Sequence, residues 1–149
     1  MKNASLSVLN GLLLKEISAM KTYKNARLKL KAADIACELQ ELHDAHAARA
    51  TVLQERIASL GGCTATVGGA WGILNRADVA IGEQSAICIF DEGETRTLES
   101  YESAIDQLDE QSRDIVAQQL IPEQEATVSV VSAWREAMAE FGERIELAG

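Results

Sequence analysis

The sequence predicts an all-α protein, a four-helix bundle made of two antiparallel helical hairpins, and three observations lead there. Ala, Leu, Glu and Gln are abundant, all good helix formers, against a single proline and two each of Phe, Tyr and Trp. Apolar residues recur at spacings of three and four along four long segments. The links between segments one and two, and between three and four, are short, whereas the middle link is long. At 149 residues the chain is expected to form one domain over 1–149.

The first helix is expected over about Ser5 to Lys31 and the second over about Ala33 to Leu60, with Gly61 and Gly62 as a C-terminal stop. Gly68, Gly69 and Gly82 punctuate the middle link, where a short helix is expected over Trp71–Ala80, its Trp71 covering the core. A third long helix runs over about Glu83 to Leu108. After a polar turn near Asp109 to Ser112 the fourth reaches about Glu146, with Pro122 kinking it or marking its first turn.

Composition narrows the function. A net charge of −9 argues against nucleic acid, whose phosphates need a basic surface, and against anionic membranes. No apolar run approaches the ~20 residues that span a bilayer, and Leu12–Leu14 run straight into Lys15 and Glu16, unlike a signal peptide. A cytoplasmic protein is expected. Cys37, Cys63 and Cys88 are too scattered for a disulfide framework and are read as buried or half-buried free thiols. Association with further copies of the chain, as a homo-oligomer, is one expectation, and the sequence points to no particular partner protein.

Each helix has a stripe destined for the interior. The first reads Leu9, Leu13, Glu16, Met20, Tyr23, Arg27, Leu30, and the second Ile35, Leu39, Leu42, His46, Ala50, Leu53, Ile57, Leu60. The third reads Ile87, Phe90, Glu94, Leu98, Tyr101, Ile105, Leu108, and the fourth Leu120, Gln124, Thr127, Val131, Trp134, Met138, Phe141, Ile145. Glu16, His46, Glu94 and the pair Gln124 and Thr127 interrupt these stripes. Counted from the hairpin turns at ~1.5 Å per residue, they fall within about one helical turn of the same height. An unpaired buried carboxylate is unfavourable by several kcal/mol, so such a layer must be paired, hydrogen-bonded or metal-bound. His43, one turn before His46, is in reach of the same layer. Glu123 and Glu125 flank the stripe and should face solvent.

An internal repeat accompanies the layer. Glu16 with Tyr23 and Ala26, and Glu94 with Tyr101 and Ala104, share one spacing, as if the hairpins were halves of a duplicated unit. The tyrosines are expected in the core, each hydroxyl finding a polar partner.

LNGLLLKEISAMKTYKNA at Leu9–Ala26, HAARATVLQERIASLGG at His46–Gly62, GGAWG at Gly68–Gly72, EGE at Glu92–Glu94 and LIP at Leu120–Pro122 resemble a bacterial family of uncharacterised ferritin-like four-helix-bundle proteins, in order and over nearly the whole chain. The resemblance implies the ferritin-like fold, with its long crossover between hairpins. Di-iron members of that superfamily use one Glu from each of two helices and Glu-x-x-His from each of the others. Glu16 and Glu94 match the lone carboxylates and His46 a histidine. His43 stands where the second helix would carry Glu, and Gln124 and Thr127 where the fourth would carry Glu and His. Those departures do not fit an intact di-iron oxidase or ferroxidase. Two readings stay open: one divalent metal (Fe, Zn or Mn) held by Glu16, His43, His46 and Glu94, or a metal-free buried network in which His46 pairs with Glu16 or Glu94 and Gln124 completes the bonds. The corresponding functions are a metal-binding bundle and a non-catalytic module acting by oligomerisation or partner binding.

Overall fold

The computed structural model describes residues 2–30, 33–64 and 83–148, with side chains over 3–30, 35–64 and 85–140. Within them α1 spans Lys2–Lys29, α2 Ala33–Ser59, α3 Glu83–Ala104, α4 Glu110–Ile115 and α5 Ile121–Ala148. The short helix expected at Trp71–Ala80 lies outside the described residues, as do the side chains of Phe141 and Ile145.

Four helical rods form the bundle, the last being α4 and α5 joined without a break. α3 ends at Ala104, four residues short of the expected Leu108, and a 3-10 turn at Ile105–Gln107 follows it. The polar turn is also tighter than its composition suggests. Asp109 is an N-cap, its carboxylate accepting from the Ser112 amide at 3.2 Å, so Glu110 to Ser112 already belong to α4. The disturbance expected at Pro122 is a five-residue π turn over Val116–Leu120 just before it, in which the Ile121 amide donates to Val116 O. Pro122 lacks the N–H of an α-helical bond and its ring crowds the preceding turn, and the wider π turn accommodates both. At the end of α2, Gly61 takes φ 77°, the left-handed conformation that a helix C-cap requires.

The apolar core is in two parts. One joins Leu9, Leu12 and Leu13 of α1 to Leu53 and Ile57 of α2, and to Tyr101, Leu108, Val116 and Leu120. The other joins Ala19, Tyr23 and Ala26 to Leu39 and Leu42 of α2, Ile87 and Phe90 of α3 and Val131 of α5. The start of α1 therefore meets the end of α2 and the end of α3, which makes α1 antiparallel to both. Arg27, placed in the first stripe by spacing alone, is exposed and bonds Gln40 on α2. The inward position is taken by the small neighbour Ala26. Cys37 and Cys63 are exposed, not buried or half-buried as expected, whereas Cys88 is half-buried in agreement; all three are free thiols.

Candidate functional site

Between the two apolar clusters lies a layer of polar side chains, and all four rods contribute to it. Glu16 comes from α1, His46 and Arg49 from α2, Glu94 from α3, and Gln124 and Thr127 from α5. None of the six exceeds 5% exposure, so each must find its partners inside the bundle.

His46 is the hub. Its Nδ1 lies 2.6 Å from Glu16 Oε2 and its Nε2 2.9 Å from Glu94 Oε2. Carboxylates only accept, so both ring nitrogens must donate, and the ring is an imidazolium. Burial by itself disfavours that charge, but the fields and hydrogen bonds of Glu94 and Glu16 outweigh it, and the pKa is raised to about 9. Burial likewise works against the Glu16 carboxylate. His46 first, then Arg49 and Tyr101, overcome it, and the Glu16 pKa is lowered. Tyr23 stacks on the imidazolium with ring centroids 5.5 Å apart, holding the ring between its two acceptors.

Arg49 is the second cation of the layer. It is 1% exposed and its Nε points to Glu16 Oε1 at 3.4 Å. With Nδ1 of His46 protonated, the 3.2 Å approach of Arg49 Nη2 to it is a contact between two donors and not a bond. Formal charges cancel: two carboxylates face an imidazolium and a guanidinium.

The repeated Glu and Tyr positions work crosswise. Tyr101 of α3 donates to Glu16 of α1 at 2.7 Å, and Tyr23 of α1 donates to Glu94 of α3 at 3.2 Å. Each hydroxyl is buried beside a carboxylate, and burial together with that charge raises both phenol pKa values well above 10.0. These tyrosines stay neutral donors. Gln124 Nε2 reaches the Glu94 carbonyl at 3.1 Å and its Oε1 at 3.4 Å, while Gln124 Oε1 meets no donor among the described residues. Thr127 donates to Glu123 O in its own helix.

Of the four residues read as metal ligands, the structure therefore brings Glu16, His46 and Glu94 together. His43 lies apart, with its ring a quarter exposed and its Nδ1 3.1 Å from Asp44 Oδ1. Arg49 is the member that sequence reasoning missed. The available signal was its place one turn after His46, at the same spacing that suggested His43. Glu123 and Glu125 face solvent as expected. A cavity of about 430 Å³ opens between α2 and α5, bordered by Ala45, Ala48, Arg49, Ala126, Thr127 and Val130.

A two-metal carboxylate centre draws on four glutamates and two histidines. Here two glutamates and one imidazole are present, and both imidazole nitrogens are engaged by carboxylates. A guanidinium cannot ligate, and its charge repels a cation. The donor set therefore does not fit a pair of divalent ions. Among the described residues, no group of three or more His, Cys, Asp or Glu side chains is arranged to hold a metal.

Residues 4–107 match a protein family described as a domain of unknown function, DUF2383. No curated protein matches the chain. A solved structure described as ferritin like, diiron-carboxylate proteins from Bacillus anthracis str. Ames superposes with a TM-score of 0.67 at 17% identity, over 94% of this chain and 96% of that one. At that identity the likeness establishes the ferritin-like fold. None of the described helices is long and apolar enough to cross a membrane.

Proposed function

We propose, for a chain that belongs to the DUF2383 family and has the ferritin-like fold, a function without metal: a non-catalytic helical bundle that acts by association with itself or with a partner protein. The observation that carries this reading is His46 bonded through both ring nitrogens to Glu16 and Glu94, with Arg49 buried beside them. Protein cations balance the two carboxylates, so an added divalent ion would have to displace or deprotonate them. The tyrosines, held neutral and engaged as donors, offer no nucleophile. Association would cover apolar surface, and Leu28 and Val130 are the large apolar side chains exposed among the described residues.

A second reading keeps one divalent ion (Fe, Zn or Mn) on Glu16, His46 and Glu94, with His43 brought in from the edge. Three ligand-type side chains in contact favour it, as does the diiron-carboxylate description of the solved neighbour. Elemental analysis separates the two. Protein purified without chelators, then incubated with Fe(II), Zn(II) or Mn(II) and desalted, should retain no stoichiometric metal. One equivalent retained, and lost in His46→Ala, would establish the second reading instead. Sedimentation equilibrium tests the association: an oligomer or a co-purifying partner is expected, and a strictly monomeric chain that captures nothing counts against it.

A further inference from the structure

The layer has an internal logic that goes beyond the absence of a fitting donor set. α1 and α3 each present one buried glutamate, Glu16 and Glu94. α2 and α5 each present a buried pair three residues apart, His46 with Arg49 and Gln124 with Thr127. The first member of each pair lies level with the glutamates, since His46 bonds Glu16 and Glu94 and Gln124 bonds Glu94. The second member of each pair borders the same cavity between α2 and α5. One residue from each of two helices and an i, i+3 pair from each of the other two is the arrangement of a dimetal carboxylate centre.

We propose that His46–Arg49 and Gln124–Thr127 occupy the two Glu-x-x-His positions of a two-ion centre, and that the protein has replaced the ions with its own cations on an otherwise retained backbone. The charges agree. Two divalent ions balance four glutamates in a metal centre. Here an imidazolium and a guanidinium balance two, and the layer is neutral in either form. The crossed bonds Tyr23–Glu94 and Tyr101–Glu16 hold both remaining glutamates inward. The assignment moves the motif one turn along α2 from His43–His46, the pair that the sequence suggests. It rests on the metal-free reading for the unmutated chain.

The test is to restore the ligands. The variant His46→Glu, Arg49→His, Gln124→Glu, Thr127→His places Glu-x-x-His at both proposed positions. The cavity of about 430 Å³ beside Arg49 and Thr127 leaves room for the new imidazoles. A control, His43→Glu, Gln124→Glu, Thr127→His, places the first motif at 43 and 46 instead. Each protein is titrated with Co(II), followed by visible absorption and elemental analysis, and each is also refolded in the presence of Co(II) so that an unstable apo form is not mistaken for a failed site. The four-substitution variant should take two ions per chain, gain helicity and thermal stability on binding them, and surpass the control at least tenfold in affinity. One ion or none in that variant, or equal binding by the control, overturns the assignment. Binding by the unmutated chain would instead overturn the metal-free reading, and the comparison of variant with control would still decide the position of the motif.

Discussion

Tyr101 donates its hydroxyl to Glu16 at 2.7 Å, joining residues 85 apart in sequence and tying α3 to α1 at the level of the polar layer. The counterpart from Tyr23 to Glu94 is longer, at 3.2 Å. Hydrogen bonds to charged acceptors contribute about 1.5–3 kcal/mol each. Tyr101→Phe should therefore destabilise the protein by about 2 kcal/mol in urea unfolding and Tyr23→Phe by less, the packing of each ring being kept. Equal or negligible losses would show that the crossed pairs do not hold the glutamates.

His46 should make stability depend on pH on the alkaline side. Its folded pKa of about 9 lies above the ordinary 6.5, so its contribution is complete below pH 6.5 and is lost as pH rises through about 9. That separation corresponds to roughly 3 kcal/mol. Glu16 is shifted down, so its contribution is present above its ordinary 4.5 and is lost on acidification. Stability should be greatest between about pH 5 and 6.5. His46→Gln should flatten the decline between pH 6.5 and 9, and an unchanged profile in that variant would refute the imidazolium.

Arg49 should matter more than a surface arginine. Removing one partner from a buried ion pair strands the other, typically at a loss of 3–5 kcal/mol. Arg49→Met is expected to destabilise by about 3 kcal/mol, the lower end, because His46 and Tyr101 still face Glu16. Adding Glu16→Gln should recover part of that loss, giving a double-mutant cycle with positive coupling. Additive losses would mean that Arg49 contributes packing alone.

The hairpin end has its own ionic tie. Asp109 caps α4, accepts from Arg56 Nη2 at 2.9 Å, and places its amide 2.7 Å from Ser5 Oγ, while Arg56 Nε also donates to Ser112 Oγ at 2.8 Å. Burial would raise the Asp109 pKa, but the bonds from Ser112, Ser5 and Arg56 hold it well below 3.8. Its contribution should persist through mildly acidic pH and fade only in strong acid. Asp109→Ala should destabilise by about 1–2 kcal/mol, and Asp109→Asn, which can still cap, by less. Thermal unfolding of both variants checks the order.

Much of the bundle was determined by the sequence alone. A period of 3.6 with few breaks admits only helices, short links force antiparallel neighbours, and buried carboxylates at one height must meet. Glu16, His46 and Glu94 were legible for that reason, and the repeated Glu and Tyr spacing announced that the halves correspond. Tertiary structure alone decided which residue joined His46. On a helical wheel His43 and Arg49 lie about 60° to either side of it, so periodicity cannot choose between them. The choice belongs to the rotation of α2 against its neighbours, which turns Arg49 toward Glu16 and leaves His43 beside Asp44. A guanidinium enters a core only where a carboxylate on another helix meets it, and that contact does not exist until the helices pack.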